Sequence, residues 1–380
     1  IVYMSDKKKN IVFFLVSSYF LKNNCFSYIN SLDHEKYNIY ILTNYDGTHN
    51  KEFFSKKFTN KAQLHHVKVS RGGKNPIEIF FEIIRIFRSI KIIDPDIVHN
   101  FGLKGSFIGS IVSRFLKIKN INSITGLGYN FNNKNLKSFL IRNLISFVLS
   151  IFLNSKYSII TVETENAKKR VQEYFHLSSK KIYVIQGVGV DTEKIRYKEI
   201  INLEGEIIFL MASRVLIDKG VIEFCSAAKK AKANSLKARF ILIGSEDPEN
   251  QSYISINELK IIAGNSVQFI PFKESVIKDL ENCHVFVLPS YHEGLSLGLM
   301  EANAVGRPAI CSDISGCRET IQNNFNGLLV KKSDAEDLYQ KIHFFLKNKN
   351  LIKEFGINGK KMIDDNFSLS KISPLYQQLY

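Results

Sequence analysis

The sequence predicts an α/β protein built from two doubly wound parallel sheets. Short apolar and β-branched runs alternate with longer amphipathic segments, which is typical of repeated strand–helix units. Strands such as Ile11–Val16 are apolar throughout, as expected for a sheet that is covered on both faces. The pattern starts again near Ile207, and a chain of 380 residues is too long for one ordinary core. Two domains are therefore expected.

The first half of the chain carries one set of strands with helical segments between them. Apolar residues recur at helical spacing over Pro76–Ile92, Ser106–Leu116 and Asn135–Leu153. The strands are expected at Asn10–Val16, Asn38–Leu42, His65–Val69, Asp96–His99, Ile121–Ile124, Tyr157–Val162 and Lys181–Ile185.

The second half repeats the arrangement. Its strands are expected at Ile207–Ala212, Arg239–Ile243, Val267–Ile270, Val285–Leu288, Ala309–Cys311 and Gly327–Val330. We place one domain at residues 4–195 and the next at 205–362, with a final helical segment, 363–380, that packs back toward the first domain. Ligands of open α/β sheets bind beyond the carboxyl ends of the strands, so a central cleft between the domains is expected to hold the chemistry.

The chain is strongly basic. Its net charge is +16 and its pI is near 9.4, and no Asp or Glu occurs from Ile97 through Val162. This balance favours polyanionic partners, namely phosphorylated substrates, an anionic membrane surface or nucleic acid. A solvated basic face without function is the simpler alternative, but the length of the acid-free stretch favours a functional surface.

The cysteines and the apolar runs of the sequence bear on where in the cell the protein is expected. Five cysteines without a CxxC pair favour buried or free thiols in a reducing cytosol. No signal peptide is evident, and the longest apolar run, Leu144–Leu153, is shorter than the roughly 20 residues that span a bilayer. A soluble or peripheral protein is expected. The segment Asn135–Leu153 either lies in a membrane interface or is a buried packing helix, and both interpretations stay open.

A pair of cations follows the first strand of the second domain. Arg214 and Lys219 lie between the strand that ends at Ala212 and the next helix. A guanidinium fork and an ammonium both suit phosphate oxygens, and fixed cations stabilise a departing diphosphate. Alone, this spacing is equally typical of a solvated loop.

A second segment follows the apolar strand Val285–Leu288. Glu293 is expected in its loop, and Gly294 permits close backbone approach. A helix is expected to begin near Leu295, so that backbone amides near Ser296 and Leu297 face a phosphate or a sugar hydroxyl. Glu301 lies about two turns into this otherwise apolar helix and needs a partner, which vicinal ribose hydroxyls would supply. The alternative is a surface glutamate.

Candidate residues of the first domain are fewer. His99 ends a strand, Lys104 lies in the following helix start, and Gly128 follows the next strand. Lys104 is a plausible phosphate ligand on the acceptor side. His99 alone is more often a structural histidine.

The Glu293 and Glu301 pair, preceded by Arg214 and Lys219, resembles glycosyltransferase family 4. The resemblance is strong from about Ile207 to Val330 and weaker before. It implies a GT-B fold of two Rossmann-like domains, and a retaining transferase that needs no metal or other cofactor.

The resemblance also implies roles for residues. Arg214 and Lys219 would hold the donor diphosphate, and Glu301 the ribose. Glu293 would lie by the donor sugar. Catalysis would involve Glu293, Arg214 and Lys219. The donor set would also include Phe272, Gly294, Leu295, Ser296 and Leu297, and the acceptor set would be His99, Lys104 and Gly128.

The first domain is most similar to bacterial enzymes that extend polyprenyl-diphosphate-linked sugars, with an N-acetylgalactosaminyl or N-acetylglucosaminyl transferase as the nearest likeness. Two departures concern the acceptor side. Ser17–Leu21 replaces a glycine-rich loop, and Phe101 stands where many members have histidine.

The working hypothesis is transfer from a UDP-sugar to a polyprenyl-diphosphate-linked saccharide. It would act in surface glycan or glycoprotein glycan assembly, peripherally at the inner face of a bacterial cytoplasmic membrane. A UDP-sugar epimerase of the same architecture is an alternative. A nucleic-acid-binding protein is a further alternative that the charge suggests, but no recognition motif supports it, so no nucleic-acid partner is expected.

Overall fold

The computed structural model describes residues 7–45, 49–59, 61–70, 75–128, 131 and 135–380. The chain forms two compact units. Unit 1 runs up to Gly189 and includes Ile372–Tyr380, and unit 2 comprises Val190–Lys371. The first division, after Gly189, falls several residues before the linker expected at 196–204. The second, after Lys371, falls within the expected final helical segment, 363–380. Backbone hydrogen bonds explain this, because the Val190 amide donates to the Phe367 carbonyl at 2.9 Å and the Leu369 amide to the Val190 carbonyl at 2.8 Å.

Unit 1 contains a sheet of seven parallel strands in the order β3-β2-β1-β4-β5-β6-β7. Chain order reverses between β1 and β4, which are paired from Ile11 opposite Ile97. The strands are β1 (Lys9–Leu15), β2 (Tyr37–Thr43), β3 (Gln63–His66), β4 (Ile97–Phe101), β5 (Lys119–Ile124), β6 (Ser158–Val162) and β7 (Ile182–Val184).

The helices of unit 1 begin at recognisable caps. Asn75 accepts a hydrogen bond from the Ile77 amide with Pro76 at the first helical position, and Asn135 accepts one from the Ser138 amide. The helices are α1 (Ser18–Phe20), continued by a π-helical turn (Leu21–Cys25) and α2 (Phe26–Asn30), then α3 (Lys51–Phe58), α4 (Pro76–Ile93), α5 (Gly102–Leu116), α6 (Leu136–Leu153) and α7 (Glu165–Phe175).

Unit 2 contains a sheet of six parallel strands in the order β10-β9-β8-β11-β12-β13. Chain order reverses between β8 and β11, which pair through Phe209 opposite Val285. The strands are β8 (Ile207–Ala212), β9 (Ala238–Gly244), β10 (Val267–Pro271), β11 (Val285–Leu288), β12 (Ala309–Ser312) and β13 (Gly327–Val330).

The helices of unit 2 cover both faces of this sheet with apolar side chains, and two buried clusters form its core. They are α8 (Val221–Ala233), α9 (Ile256–Ala263), α10 (Ile277–Asn282), α11 (Leu297–Val305), α12 (Ser315–Arg318), α13 (Ala335–Lys347) and α14 (Lys349–Met362), followed by a π-helical turn (Ile363–Phe367) and α15 (Leu369–Gln377), in which the chain returns to unit 1. The predicted fold class, two parallel-sheet α/β domains, is confirmed.

Candidate functional site

The predicted donor residues of unit 2 lie at the switch point of its sheet. The loop after β8 carries Arg214 and Lys219, and the loop after the neighbouring strand β11 carries Glu293. β9 and β10 continue to one side of this pair of strands, and β12 and β13 to the other. Open α/β sheets bind ligands in a crevice at the carboxyl edge of such a switch point, so these two loops mark the candidate crevice.

Lys219 and Glu293 are brought into direct contact. The Lys219 Nζ lies 2.7 Å from Glu293 Oε1, and the two side chains are only 19% and 14% exposed. The attraction between the two charges is stronger here than in bulk water, because the surrounding protein screens it less. Glu293, predicted beside a sugar, thus also positions the lysine.

Arg214 has a carboxylate partner that sequence reasoning missed. Its guanidinium donates to Asp247 Oδ2 at 2.8 Å, from the loop that follows β9. The sequence could have indicated Asp247 as a candidate partner, because Asp247 follows β9 by three residues and β9 lies next to β8, so both loops are at the carboxyl edge of the sheet. Both cations of the crevice are therefore paired with carboxylates in this structure.

Glycines let the loops approach more closely than side chains would permit. Gly220 has φ +76°, and a Cβ placed on it would lie 2.2 Å from the Pro289 carbonyl oxygen. A Cβ on Gly316 would lie 1.8 Å from the carbonyl oxygen of Gly294. Only residues without a Cβ fit at such distances, so the backbone fixes the relative position of the Lys219 and Glu293 loops.

The helix after Glu293 begins two residues later than predicted. Ser296 is its N-cap and accepts a hydrogen bond from the Leu299 amide at 3.4 Å, so α11 starts at Leu297 instead of near Leu295. Gly294 and Leu295 belong to the loop before the cap. The serine cap engages the Leu299 amide, which is therefore not available to a phosphate.

Glu301 is a partly buried carboxyl within α11. Burial raises its pKa from 4.5 to about 7. No hydrogen-bond or ion-pair partner of this carboxyl occurs in the described part of the chain. A group in this state has unused hydrogen-bonding capacity, which a ligand with hydroxyl donors would satisfy.

Phe272 follows β10, two strands from the switch point, and 45% of its surface is exposed. Its assignment to the donor set stays a prediction. No group of three or more His, Cys, Asp or Glu side chains that could hold a metal ion occurs among the described residues.

His99 of unit 1 is fully buried. Its Nδ1 lies 2.7 Å from the Tyr380 hydroxyl and its Nε2 lies 2.7 Å from Ser123 Oγ. Burial lowers the pKa of this imidazole from 6.5 to about 3. The prediction that His99 contacts an acceptor is therefore wrong, because both ring nitrogens are engaged inside the core.

Lys104 lies in the first turn of α5 but is already engaged. Its Nζ lies 2.8 Å from Glu82 Oε2 and donates to the Ser70 carbonyl at 2.8 Å. Glu82 is fully buried and also accepts from the Ser70 amide at 2.7 Å. Lys104 thus neutralises a buried carboxylate, a role that sequence reasoning missed. Gly128 is exposed with φ +75°, and no atom lies within 4 Å of a Cβ placed on it.

Helix α6 is exposed instead of being a buried packing helix. It is 18 residues long with a mean hydropathy of 1.7, and 17% of its residues are buried. By length and composition it is the one helix, within the described ranges, that could cross a membrane. Its buried residues Leu149 and Leu153 belong to the core of unit 1, which attaches the helix to the sheet.

Two family models match the chain, one in each unit. The model described as Glycosyl transferase 4-like matches residues 11–162, and the model described as Glycosyl transferases group 1 matches residues 192–362. Together with the two parallel sheets, these matches define the class. The chain belongs to the group 1, family 4-like glycosyltransferases and has the GT-B fold.

Two of the curated relatives are bacterial transferases whose names include an undecaprenyl-diphosphate-linked sugar. The N,N'-diacetylbacillosaminyl-diphospho-undecaprenol alpha-1,3-N-acetylgalactosaminyltransferase of Campylobacter jejuni is 29% identical over 325 residues, which cover 82% of this chain and 84% of that protein. The UDP-Gal:alpha-D-GlcNAc-diphosphoundecaprenol alpha-1,3-galactosyltransferase of Escherichia coli is 25% identical and covers 78% of each chain.

Solved glycosyltransferases share the fold over almost the whole chain. The glycosyltransferase of Rickettsia africae has a TM-score of 0.77 at 19% identity and covers 98% of each chain. Anabaena Alr3699/HepE, solved in complex with UDP and glucose, has a TM-score of 0.78 at 14% identity and covers 97% of this chain and 98% of its own. At these identities the likeness concerns the fold alone.

Proposed function

We propose that this glycosyltransferase moves an N-acetylhexosamine from a UDP-sugar to a polyprenyl-diphosphate-linked saccharide, with retention of the anomeric configuration and without a metal ion. The reaction contributes to surface glycan or glycoprotein glycan assembly. The relatives support the lipid-linked acceptor, since the names of both include a diphosphoundecaprenol sugar. The N-acetylhexosamine rests on the Campylobacter jejuni relative, whose name specifies N-acetylgalactosamine.

The observation that carries the proposal is the Lys219–Glu293 contact of 2.7 Å beside Arg214 at the switch point. Negative charge develops on a nucleoside diphosphate as its sugar departs. Two fixed cations at a strand edge lower the energy of that transition state. Glu293, held by Lys219, lies where the reacting sugar joins the diphosphate.

Glu301 supports a nucleoside at the same site. Its carboxyl has a pKa of about 7 and no protein partner among the described residues. Two ribose hydroxyls donating to it would stabilise the ionised form and satisfy both oxygens. Phe272, nearly half exposed after β10, offers a ring at the uracil end of the donor.

The acceptor diphosphate is proposed to bind unit 1 near the start of α5, with Lys104 and the Gly128 turn. Lys104 already shares its charge with Glu82, so it contributes a hydrogen-bond donor more than a net positive charge. The helix start adds backbone amides and a partial positive charge.

A membrane surface is proposed to contact the helical layer formed by α4, α5 and α6. These helices connect β3 to β4, β4 to β5 and β5 to β6, so right-handed crossovers place all three on one face of the sheet. More than half of the large apolar side chains that the described residues leave exposed lie on this layer. They are Ile77, Phe80, Phe81, Ile92, Phe115, Leu136, Phe139, Leu140, Leu144, Phe147 and Ile151.

The basic residues of α5 and α6 favour an anionic bilayer as the partner of this helical layer. On α6, Leu136, Leu140, Leu144, Phe147 and Ile151 repeat at three- and four-residue spacing and form one exposed stripe. Lys137 on α6 and Arg114 on α5 are exposed, and α5 and α6 contain no acid. Each buried apolar side chain contributes about 1.5–3 kcal/mol, and each basic residue near anionic lipid about 1 kcal/mol. Because α6 is packed on the sheet, it lies along the interface, at the inner face of the cytoplasmic membrane.

The donor site is tested with Arg214→Ala, Lys219→Ala and Glu301→Ala. Each is expected to lower transfer from a UDP-sugar to a lipid-linked acceptor by about a hundredfold or more, because each removes a donor contact. The matched control is Lys230→Ala, which removes an exposed cation of α8 paired with Glu336. Normal transfer by Glu301→Ala and Arg214→Ala would show that the site is wrongly assigned.

Product analysis tests the transferred sugar, the retention of its anomeric configuration, the need for an acceptor and the independence from metal. A panel of UDP-sugars is incubated with and without lipid-linked acceptor, each with and without a chelator, and products are analysed by mass and anomeric NMR. An N-acetylhexosamine added in the donor configuration is expected. A new UDP-sugar formed without acceptor, or loss of activity with chelator, would contradict it.

The membrane surface is tested by flotation with vesicles of phosphatidylglycerol and phosphatidylcholine, against vesicles of phosphatidylcholine alone. The doubly substituted variant Leu140→Gln/Leu144→Gln is expected to lose flotation. Ile261→Gln removes an apolar side chain of unit 2 that is 80% exposed and should float normally. Equal flotation of all three proteins would refute this surface, and a dimer in solution that dissociates in the double variant would assign it to self-association.

A further inference from the structure

Tyr291 connects the loop that carries Glu293 to two parts of the lysine segment. Its backbone amide donates to the Asp218 carbonyl at 2.7 Å, next to Lys219 in sequence. Its hydroxyl donates to Glu223 Oε1 at 2.6 Å, in the first turn of α8. One residue thus bridges the loop after β11 to both the loop after β8 and the helix that follows it.

Glu223 is a rigid anchor for this hydroxyl. Its side chain is 7% exposed, and Oε2 has no hydrogen-bond partner among the described residues. A carboxylate in the first turn is favoured by the helix dipole, which offsets part of the cost of its burial. The Tyr291 hydroxyl donates to Oε1, and burial together with Glu223 raises the pKa of Tyr291, so the hydroxyl keeps its proton.

The other side of the Tyr291 loop is also contacted. Lys332, which follows β13, places its Nζ 5.6 Å from the centre of the Tyr291 ring and 3.4 Å from His292 Nε2. The ring is therefore held between a cation on one side and the α8 carboxylate at its hydroxyl. Glu293 follows only two residues later, so the position of the tyrosine limits where the Glu293 carboxylate can lie.

We propose that Tyr291 is a positioning residue, which sets the distance between Lys219 and Glu293 by anchoring the Glu293 loop to Glu223. This inference rests on the proposed donor site. Without the hydroxyl bond, the Glu293 loop keeps its backbone bond to Asp218 but loses its attachment to α8. Displacement of reacting groups by about 1 Å can cost about a hundredfold in rate. Arg214 and Glu301 lie outside this linkage and continue to hold the donor.

The test compares Tyr291→Phe with the double variant Tyr291→Phe/Glu223→Gln in the full chain. Tyr291→Phe is expected to lower kcat by about tenfold to a hundredfold while the donor KM changes less than about threefold, and to lower Tm because Glu223 loses its donor. In the double variant the buried charge is gone, so Tm recovers while kcat stays low. The matched control, Tyr339→Phe, removes the hydroxyl of a buried tyrosine on α13 and should keep the wild-type kcat.

Two outcomes would overturn the inference. Recovery of kcat together with Tm in the double variant would show that Tyr291 has only a structural role. Wild-type kcat in Tyr291→Phe would show that its hydroxyl does not position the site. Lys219→Ala, assayed in parallel, separates these outcomes from failure of the donor site, because an active Lys219→Ala protein would refute the donor site itself.

Discussion

Burial shifts the pKa values of Glu301 and His99 in opposite directions, because it disfavours the charged form of each. The Glu301 carboxyl has its pKa raised to about 7, and the His99 imidazole has its pKa lowered to about 3. The Glu301 contribution to stability is greatest below about pH 4.5 and is lost as the pH rises to about 7. The His99 contribution is present above about pH 6.5 and is lost as the pH falls toward 3.

The raised pKa of Glu301 predicts a pH-dependent donor affinity. Below about pH 7 the free protein holds a protonated carboxyl, which would have to lose its proton to accept the two ribose hydroxyls of the proposed donor. The affinity for UDP should therefore increase as the pH rises through about 7 and then level off. Titration calorimetry across this range measures it. Glu301→Gln should bind more weakly and lack this pH-dependent component, and an identical pH profile in the two proteins would contradict the prediction.

At the scale of elements, the loops of the candidate site depend on close backbone approach. Gly220 ends the segment that carries Lys219, and its missing side chain makes room for the Pro289 carbonyl. Gly264, which ends α9, also has a positive φ, but a Cβ placed on it would meet no atom within 4 Å. A side chain at Gly264 would strain only the backbone, whereas a side chain at Gly220 would also collide with Pro289.

Gly220→Ala is therefore expected to be more harmful than Gly264→Ala. Both substitutions strain a backbone with positive φ, by about 1–3 kcal/mol, and Gly264 with its ψ of −127° lies outside the left-handed helical region that Gly220 occupies. Only Gly220→Ala also forces the β8 and β11 loops apart, so it should lower Tm further and reduce UDP affinity by at least about tenfold. Thermal unfolding and titration calorimetry measure the two effects. Equal behaviour of both variants would show that the loop contact is unimportant.

Most of the strands could be predicted from the sequence. Buried parallel strands are short apolar runs between turns, so β8, β11 and β13 begin and end at the predicted residues. The partners of site residues could not be predicted. Lys219 meets Glu293 across 74 positions and Arg214 meets Asp247 across 33, and no local pattern encodes such contacts. The role predicted for His99 is wrong because Tyr380, which occupies its Nδ1, lies 281 positions away.

At the scale of the whole molecule, the last residues of the chain complete the core of unit 1. The Tyr380 hydroxyl contacts both His99 Nδ1 and the Tyr28 hydroxyl, and Tyr376 packs against Tyr28 with ring centroids 5.1 Å apart. These residues follow unit 2 in sequence but belong to unit 1. The stability of unit 1 should therefore depend on a segment that follows unit 2 in sequence.

Tyr380→Phe is expected to destabilise unit 1 selectively. It leaves His99 Nδ1 and the Tyr28 hydroxyl buried without this partner, which costs about 1–3 kcal/mol. Calorimetry should show a lower Tm for one transition only, while UDP binding by unit 2 keeps its wild-type affinity. Leu375→Ala, a change at a 41% exposed position of the same segment, is the control. A uniform shift of the whole unfolding profile would mean that the two units unfold as one.

The ion pairs of the donor site have a consequence for selectivity among cellular phosphates. Lys219 and Arg214 are each neutralised by a carboxylate in the free protein. A small anion such as inorganic phosphate gains little from such a site, since it must compete with Glu293 and Asp247 for the same cations. A nucleotide sugar brings additional contacts through its ribose and base, which offset that competition. The free protein is therefore expected to bind inorganic phosphate only weakly.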